Sequence, residues 1–202
     1  MKDQWDQRYR SDEFFYGRDV NDFLREKIAL IPKGGRVLML AEGEGRNAVA
    51  LARNGFLVTA VDWSSVGLKK LEDWANSERL KVETICADLT QFDYGQGKWD
   101  AIVSIWFHLP SSKRKLIYKK IEDALAPRGV FILESYTPKQ LEFKTGGPPD
   151  ADMLVTANEL NSCWNRLRVA SCVELERIIT EGHGHKGRSA VVQLIAVADP
   201  SV

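Results

Sequence analysis

Apolar and polar positions follow two periods along the chain, one typical of buried strands and one typical of amphipathic helices. Short continuous apolar runs predict five strands, at "RVLMLA" (36–41), "FLVTAVD" (56–62), "LKVETICAD" (80–88), "WDAIVSIWF" (99–107) and "GVFILESY" (129–136). The intervening segments "NAVALARNG", "SSVGLKKLEDWANS" and "SSKRKLIYKKIEDALAPRG" place apolar residues at helical spacing. Because strands and helices alternate and the strands are rich in Val, Ile and Leu, we expect a parallel sheet with helices on both faces.

The pattern changes after Tyr136. Residues 137–155 are polar and rich in Gly and Pro, which predicts a surface loop shaped like a lid. The segment "TANELNSCWNRL" carries a capping box of Thr156 and Glu159, and "RVASCVELERIIT" and "SAVVQLIAVA" predict an antiparallel hairpin at the sheet edge. The predicted fold is therefore α/β and doubly wound, with a mostly parallel seven-stranded sheet of Rossmann-like type that ends in this hairpin.

The N-terminal region adds two helical stretches, Asp3 to Arg10 and Val20 to Leu30, on either side of the aromatic segment "SDEFFYGR". A chain of 202 residues suits one domain of ordinary size. We expect a single domain over residues 1–202, in which residues 1–31 form a helical cap.

Charge and composition narrow the function classes. Lys plus Arg and Asp plus Glu are equal at 28, so a nucleic acid or an anionic membrane gains no electrostatic support as a partner. The charged start "MKDQWDQRYR" and the lack of a long apolar run predict a cytoplasmic protein. Cys86, Cys163 and Cys172 show no CxxC spacing, which predicts buried reduced thiols and no metal site.

The stretch "AEGEGRNA" (41–48) follows the first strand and opens a helix. Gly43, Gly45 and Ala48 fit the dinucleotide pattern GxGxxG/A, and Asp62 ends the next strand 19 residues after Gly43. An acid at that position can accept both hydroxyls of a ribose, which predicts a nucleoside ligand. Acids at positions 42 and 44 disfavour a pyrophosphate and suit a cationic ligand without phosphates, as S-adenosylmethionine is.

With these motifs the chain resembles the class I S-adenosylmethionine-dependent methyltransferases over nearly its whole length. The resemblance rests on "VLMLAEGEGRNA", "VTAVDWS", "CADL", "WDAIVSIWFHLP" and "ALAPRGVFILE". It implies that Asp62 binds the ribose, that Trp63, Asp88 and Leu89 meet the adenine, and that Ile105 and Trp106 approach the methionine part. The full implied cofactor set is Glu42, Gly43, Gly45, Arg46, Asn47, Asp62, Trp63, Ser64, Asp88, Leu89, Ile105 and Trp106, joined by Trp5, Tyr9 and Tyr16.

The chain departs from the family pattern in the first strand. Many members carry an acid within that strand and a glycine just after it, where this chain has Met39 and Ala41. The hydrogen bond that the acid usually makes near the cofactor's amino group is therefore unassigned, and Glu42 is the nearest candidate to supply it.

Within the class, "WDQRY", "FFYGR" and "EGHGHKGRSAVVQLIA" resemble the tellurite-resistance and thiopurine methyltransferase-like branch. That branch implies a small nucleophile as methyl acceptor, such as a thiol, a chalcogen oxyanion or a halide, and an aromatic N-terminal segment that covers the cofactor. Aromatic faces stabilise a sulfonium, so Trp5, Tyr9, Tyr16 and Trp106 have that role as an alternative to plain packing.

Three residues are candidates for catalysis. His108 follows the fourth strand, where ligands bind in such sheets, and is either a general base or a residue at the entry of the next helix. His185 with Lys186 or Arg188 either presents positive charge to an anionic substrate or lies in a solvated hairpin turn. The pair of His183 and His185 supplies too few ligands for a metal.

Two other functions stay open. An NAD-dependent oxidoreductase shares GxGxxA and Asp62, although the acids of the turn and the C-terminal hairpin disfavour it. A non-catalytic cofactor-binding protein would use the same fold. The acceptor, and the choice between monomer and homodimer, are open at this level.

Overall fold

The computed structural model describes residues 2–200, with side chains from residue 3 onward. Six helices are present in this range, namely α1 (Lys2–Arg8), α2 (Asp22–Lys27), α3 (Arg46–Arg53), α4 (Ser65–Ser77), α5 (Ser111–Ala124) and α6 (Ala157–Ser162). The strands are β1 (Arg36–Leu40), β2 (Leu57–Asp62), β3 (Val82–Cys86), β4 (Trp99–Ile105), β5 (Leu125–Tyr136), β6 (Leu167–Glu181) and β7 (His185–Ala198). Within residues 2–200, no helix is long and apolar enough to cross a membrane.

The strands form one sheet in the order β3-β2-β1-β4-β5-β7-β6. Pairs from β3 to β5 are parallel, whereas β7 runs antiparallel to both β5 and β6. The doubly wound sheet and the C-terminal hairpin predicted from the sequence are confirmed. Strand order reverses between β1 and β4, and the carboxyl ends of these strands are where ligands bind in open α/β sheets.

Alternation along β1 explains the two layers of core. Val37 and Met39 face α2, α3 and α4, while Leu38 and Leu40 face α5 and α6. Each of these side chains is almost fully buried, and burial of one such side chain contributes about 1.5–3 kcal/mol. The run "RVLML" is continuously apolar because both of its faces are covered.

Two boundaries differ from the sequence predictions. The helical segment expected to reach Gly129 ends at Ala124, because Pro127 cannot continue a helix and Arg128 adopts a positive φ of 65°. Leu125 pairs instead with Trp99 and begins β5. Cys86, expected to be buried, is exposed because β3 is the edge strand of the sheet.

Residues 137–155, between β5 and α6, contain two short 3₁₀ turns, Pro138–Glu142 and Ala151–Met153. The segment is not wholly on the surface, since Gln140, Leu154 and Val155 are buried. At the start of α6, the Thr156 hydroxyl accepts a hydrogen bond from the amide of Glu159 at 3.1 Å, which is one half of the predicted capping box.

Candidate functional site

The glycine turn lies at the carboxyl end of β1 and is braced by the acid that ends β2. The amide of Gly43 donates to Oδ2 of Asp62 at 2.8 Å, and the amide of Ser64 donates to Oδ1 at 2.7 Å. Burial raises the pKa of Asp62, and these amides oppose the rise. The structure thus brings together the turn and the acid that the sequence pattern associated with a nucleoside ligand.

The two acids of the turn have partners within the protein. Oε1 of Glu42 accepts hydrogen bonds from the amides of Asn47 at 2.9 Å and Ala48 at 2.7 Å, so Glu42 caps the first turn of α3. Burial raises the pKa of Glu42 to about 7. Glu44 accepts from the amide of Phe15 at 2.8 Å and pairs with Lys70 at 2.5 Å. Both acids therefore hold the turn and its cover in place, whether or not they also face a cationic ligand.

The residues assigned to the adenine lie at the ends of β2 and β3. Trp63 is 36% exposed, whereas Leu89 is buried. The carboxylate of Asp88 accepts from the amide and hydroxyl of Thr90, both at 2.8 Å. Ser64 caps α4 through the amide of Gly67 and donates to Asp6 of α1 at 2.6 Å. The polar side chains of Asp88 and Ser64 are thus hydrogen-bonded within the protein and shape local turns. The partly exposed indole of Trp63 follows Asp62 at the end of β2.

The N-terminal helix covers the glycine turn. A Cβ placed on Gly43 would lie 2.7 Å from the Tyr9 hydroxyl, so glycine is required there for the close approach of this ring. Tyr9 is buried and stacks on Trp5, with ring centroids 5.8 Å apart. The cover predicted from the aromatic N-terminal residues is thus in contact with the turn.

Aromatic rings from several elements gather beside this cover in what we term the ring cluster, which consists of Tyr16, Trp106, His108, Tyr136 and His185. Trp106 stacks on Tyr136 at 4.5 Å and on His185 at 5.0 Å, and His108 stacks on the Tyr136 ring at 5.5 Å. Tyr16 approaches His185 at 4.7 Å. Trp106 has a positive φ of 59°, an uncommon and strained conformation for a bulky residue that recurs at functional sites.

A buried polar network surrounds the ring cluster. Glu181 accepts from Arg46 at 2.6 Å and from the indole of Trp106 at 2.7 Å. Glu134 accepts from Arg177 at 3.0 and 2.9 Å. The side-chain amide of Asn21 donates to Glu134 at 2.6 Å and to Glu181 at 2.9 Å. Each buried charge in this network is therefore compensated.

Both histidines of the ring cluster favour the neutral form at neutral pH. Burial lowers the pKa of His108 to about 4 and holds the pKa of His185 well below its usual range. Nδ1 of His108 lies 3.0 Å from the carbonyl of Trp106, and because a carbonyl can only accept, we assign the proton to Nδ1. Nε2 then carries a lone pair, and this atom is buried without a hydrogen bond among residues 2–200. Nδ1 of His185 is hydrogen-bonded to the Tyr136 hydroxyl.

Arg188 and Lys186 are not brought together with His185. Side chains alternate across β7, so residues 186 and 188 point to the face opposite His185. Arg188 is exposed and pairs with Glu176 at 2.5 Å. His183 is also exposed, 3.4 Å from Glu13. Lys186 and Arg188 therefore do not supply the positive charge expected beside His185, and burial disfavours a charge on His185 itself.

Several residues of the site were not indicated by the sequence patterns. They are Arg8, Asn21, Glu134, Arg177 and Glu181. The acid at position 134 interrupts an apolar strand segment, and this interruption is the signal that could have marked it. Glu181 follows its strand segment and opens a polar turn, where an acid gives no such signal.

Comparisons with known proteins agree with this geometry. Residues 37–129 match a family model described as a methyltransferase domain. A protein of Geobacillus sp. (strain WCH70) named a methyltransferase is 24% identical over 148 residues, which cover 66% of this chain and 60% of that protein. YqeM of Bacillus subtilis (strain 168), also named a methyltransferase, is 30% identical over 115 residues, which cover 54% of this chain and 45% of that protein. The chain thus spans less than two thirds of the length of either relative.

Solved structures share the fold at low sequence identity. One solved structure comes from work on the conversion of a disulfide bond into a thioacetal group during echinomycin biosynthesis. It has a TM-score of 0.76 and 20% identity, with coverage of 100% of this chain and 93% of that chain. TehB from Haemophilus influenzae has a TM-score of 0.70 and 19% identity, covering 98% and 67%. The N-methyltransferase NodS from Bradyrhizobium japonicum WM9, in complex with S-adenosylhomocysteine, has a TM-score of 0.71 and 13% identity, covering 98% and 97%. Residues 37–129 are thus similar to a methyltransferase domain, and the solved structures share the fold of the chain.

Proposed function

We propose that this protein, whose residues 37–129 match the model of a methyltransferase domain, transfers a methyl group from S-adenosylmethionine to a small-molecule nucleophile. The observation that carries the proposal is the position of the glycine turn and Asp62 directly beneath an aromatic cover and beside the ring cluster. The comparisons support the cofactor, and the acceptor is the part that we add.

The residues of the site fit this cofactor. In this proposal the backbone of the glycine turn meets the amino-acid end, Asp62 accepts the ribose hydroxyls, and Trp63 with Leu89 flanks the adenine. The space beside the Cα atoms of Gly43 and Gly45 is itself filled by Tyr9 and Leu71. The rings of Tyr16 and Trp106, which are half-buried, suit the positive sulfonium. When bound, the cofactor supplies an electrophilic methyl group. The protein's own part is to align the nucleophile with that methyl group and to exclude water, and such alignment can contribute about 7–11 kcal/mol toward the barrier.

The acceptor that we favour is a protonated neutral nucleophile, with a thiol as the first choice among those that the branch resemblance implies. His108 and His185 are neutral, and Arg46 and Arg177 are paired with acids, so these four groups offer an oxyanion no free positive charge. Nε2 of His108 is a free acceptor of the ring cluster, and it takes the thiol proton as the sulfur–methyl bond forms. A methylated thiol that kept its proton would be strongly acidic, so even a weakly basic imidazole can accept that proton.

Calorimetric titration with S-adenosylmethionine, S-adenosylhomocysteine and NAD tests the cofactor. We expect binding of both adenosyl ligands and none of NAD. Asp62→Asn keeps the size of the side chain and an acceptor for one of the two amides but removes the charge, and it should weaken adenosyl binding about 10-fold or more through the ribose contacts. A screen of small thiols, oxyanions and halides for S-adenosylhomocysteine release then identifies the acceptor.

Binding of NAD in place of the adenosyl ligands would establish the oxidoreductase instead. Adenosyl binding without turnover of any small nucleophile would favour the non-catalytic alternative. Turnover of oxyanions but not of thiols would overturn the choice of acceptor and the role of His108.

A further inference from the structure

A chain of hydroxyl groups runs from His185 of the ring cluster to the loop between β5 and α6. Nδ1 of His185 is hydrogen-bonded to the Tyr136 hydroxyl, which is also hydrogen-bonded to the side chain of Ser189. Oγ of Ser189 lies 3.1 Å from Oγ1 of Thr145, and Oγ1 of Thr145 donates to the carbonyl of Arg188 at 2.7 Å. Burial raises the pKa of Tyr136, so each hydroxyl of the chain carries a hydrogen at neutral pH.

The number of hydrogens in this chain decides the tautomer of His185. Each of its four contacts needs one hydrogen, and the carbonyl at its far end can only accept. Gly187, whose carbonyl lies 3.3 Å from Oγ of Ser189, adds an acceptor and no hydrogen. The hydroxyls of Tyr136, Ser189 and Thr145 supply one hydrogen each, so the fourth comes from Nδ1 of His185. We therefore assign the proton of the neutral imidazole to Nδ1, which leaves a lone pair on Nε2.

The protein closes the inner end of the chain to water. Tyr136 and Ser189 are fully buried, and Gly146 packs on the bond between His185 and Tyr136. A Cβ placed on Gly146 would lie 2.7 Å from the Tyr136 hydroxyl and 3.1 Å from Nδ1 of His185. Groups of the protein, and not solvent, therefore set the tautomer.

Nε2 of His185 is then a buried acceptor without a partner. It makes no hydrogen bond within residues 2–200, although His185 is only 5% exposed. A buried acceptor of this kind is expected to meet a donor. The imidazole stacks on Trp106 at 5.0 Å and approaches Tyr16 at 4.7 Å, the two rings that we place beside the sulfonium. The donor groups of the cofactor have acceptors elsewhere in the proposed site, at Glu42, Asp62 and beside the adenine, so the donor at His185 belongs to the methyl acceptor.

We propose that Nε2 of His185 binds a hydrogen-bond donor of the methyl acceptor that is separate from the reacting thiol, and that Tyr136, Ser189 and Thr145 are positioning residues for it. The proposal rests on the proposed function, which places the methyl acceptor in the ring cluster. It narrows the substrate class to thiols with a second polar hydrogen, such as a hydroxyl group a few bonds away. His108 takes the thiol proton, and His185 selects the molecule that carries it.

Two pairs of small thiols with equal numbers of heavy atoms test the selection. Mercaptoethanol can donate through its hydroxyl where propanethiol has a methyl group, and methoxyethanethiol can only accept where butanethiol has a methylene group. We expect wild type to favour mercaptoethanol over propanethiol by about 10- to 100-fold in kcat/KM, measured by release of S-adenosylhomocysteine, and to show no such preference for methoxyethanethiol. His185→Phe keeps an aromatic ring and should lower the first preference about 10-fold or more, with turnover of propanethiol retained. Each pair is also run one methylene longer, so that reach does not decide the result.

The tautomer gives a readout that does not depend on turnover. NMR of the imidazole nitrogens distinguishes a protonated nitrogen from one with a lone pair, and we expect the His185 proton on Nδ1. Ser189→Ala leaves Nδ1 as the remaining partner of the Tyr136 hydrogen among residues 2–200, so the bond should reverse and the proton should move to Nε2. Methoxyethanethiol should then gain about 3- to 10-fold over butanethiol. Ser171→Ala is the matched control, since Ser171 is exposed on β6, and thermal melting verifies that each variant is folded.

The outcomes separate this proposal from the proposed function. If wild type turns over no thiol, the proposed acceptor fails and this proposal fails with it. If wild type turns over all four thiols alike, or His185→Phe keeps the preference, the donor subsite is overturned while the proposed function stands. Equal loss of every thiol in a folded His185→Phe would make His185 part of the proton transfer and overturn its role in selection. A proton on Nε2 in wild type would overturn the tautomer and the subsite that depends on it.

Discussion

At the scale of single residues, the glycine turn shows how one position can serve the fold and a ligand together. Ala41 adopts a positive φ of 53° where many class I methyltransferases have glycine, and Met39 fills a buried position where they have an acid. Glu42 is the buried acid that follows Ala41 in the chain, and its Oε1 accepts hydrogen bonds from amides of α3. Its second oxygen makes no hydrogen bond within residues 2–200, so Glu42 stays our candidate for the cofactor's amino group.

The charge of Glu42 leads to a prediction about pH. The pKa of Glu42 is about 7 in the folded protein against 4.5 ordinarily, because burial outweighs the helix amides and Arg46, and Asp62 adds to the rise. Between pH 4.5 and 7 the folded state therefore keeps a proton on Glu42 that the unfolded state has lost. As pH rises through this window the free energy of unfolding declines, by up to about 3 kcal/mol. Glu42→Gln keeps an acceptor for the helix amides and lacks this titration.

Urea unfolding of wild type and Glu42→Gln at several pH values measures this effect. The stability of the variant relative to wild type should rise across that window, and other titrating groups cancel in the difference. A constant difference would mean that Glu42 is ionised throughout and that the helix amides outweigh burial.

At the scale of elements, the close packing of α3 against α4 depends on Gly45. This residue has a φ of 92°, and a Cβ there would lie 2.7 Å from Cβ of Leu71 in α4. Gly55, at the other end of α3, has a similar φ of 83° but nothing within 4 Å of its Cβ position. Alanine at either position would therefore strain the backbone to a similar degree, and alanine at Gly45 would in addition clash with Leu71.

We expect Gly45→Ala to cost about 2–5 kcal/mol, from a left-handed conformation and overpacking together, and Gly55→Ala to cost about 1–2 kcal/mol. Denaturant midpoints of both variants measure the difference. Equal losses would show that α4 moves away from α3 at little cost, which would contradict the rigid packing inferred here.

The element scale also shows which boundaries the sequence could predict. Continuous apolar runs predicted the strands, because a strand buried on both faces needs apolar residues at every position. The end of α5 was missed, because Leu125 leaves the helix in order to pair with Trp99 of β4, a contact that helical periodicity does not reveal. The glycine turn was found because its motif is local, whereas the polar network was not, because its members are far apart along the chain.

At the scale of the whole molecule, Asn21 joins the N-terminal cover to the sheet. Its side chain is fully buried, caps α2 through the amide of Leu24, and donates to both Glu134 and Glu181. Its backbone amide donates to Asn47 of α3 at 3.0 Å. One residue thus connects the cover, the helix after the glycine turn, and two strands.

Asn21→Ala should therefore loosen the cover more than the sheet. Two buried carboxylates would each lose a donor, and we expect a cost of about 2–3 kcal/mol, with faster hydrogen exchange in α1 and α2 than in β1 and β4. Asn54→Ala serves as control, since Asn54 is exposed and its side chain donates to the carbonyl of Ala50 within the same helix. Uniformly faster exchange over the whole protein would contradict a separate role for the cover.

The sequence by itself determined the layered α/β fold, the position of the glycine turn and the acid that ends β2. These features depend on periodicity and on residues close together in the chain, where backbone preference and apolar spacing suffice. Only the tertiary structure decided that Glu42 caps α3, that Arg188 faces away from His185, and that Arg8 donates to the Tyr16 hydroxyl. The reason is that burial, charge pairing and protonation are set by neighbours that folding brings together from distant parts of the chain.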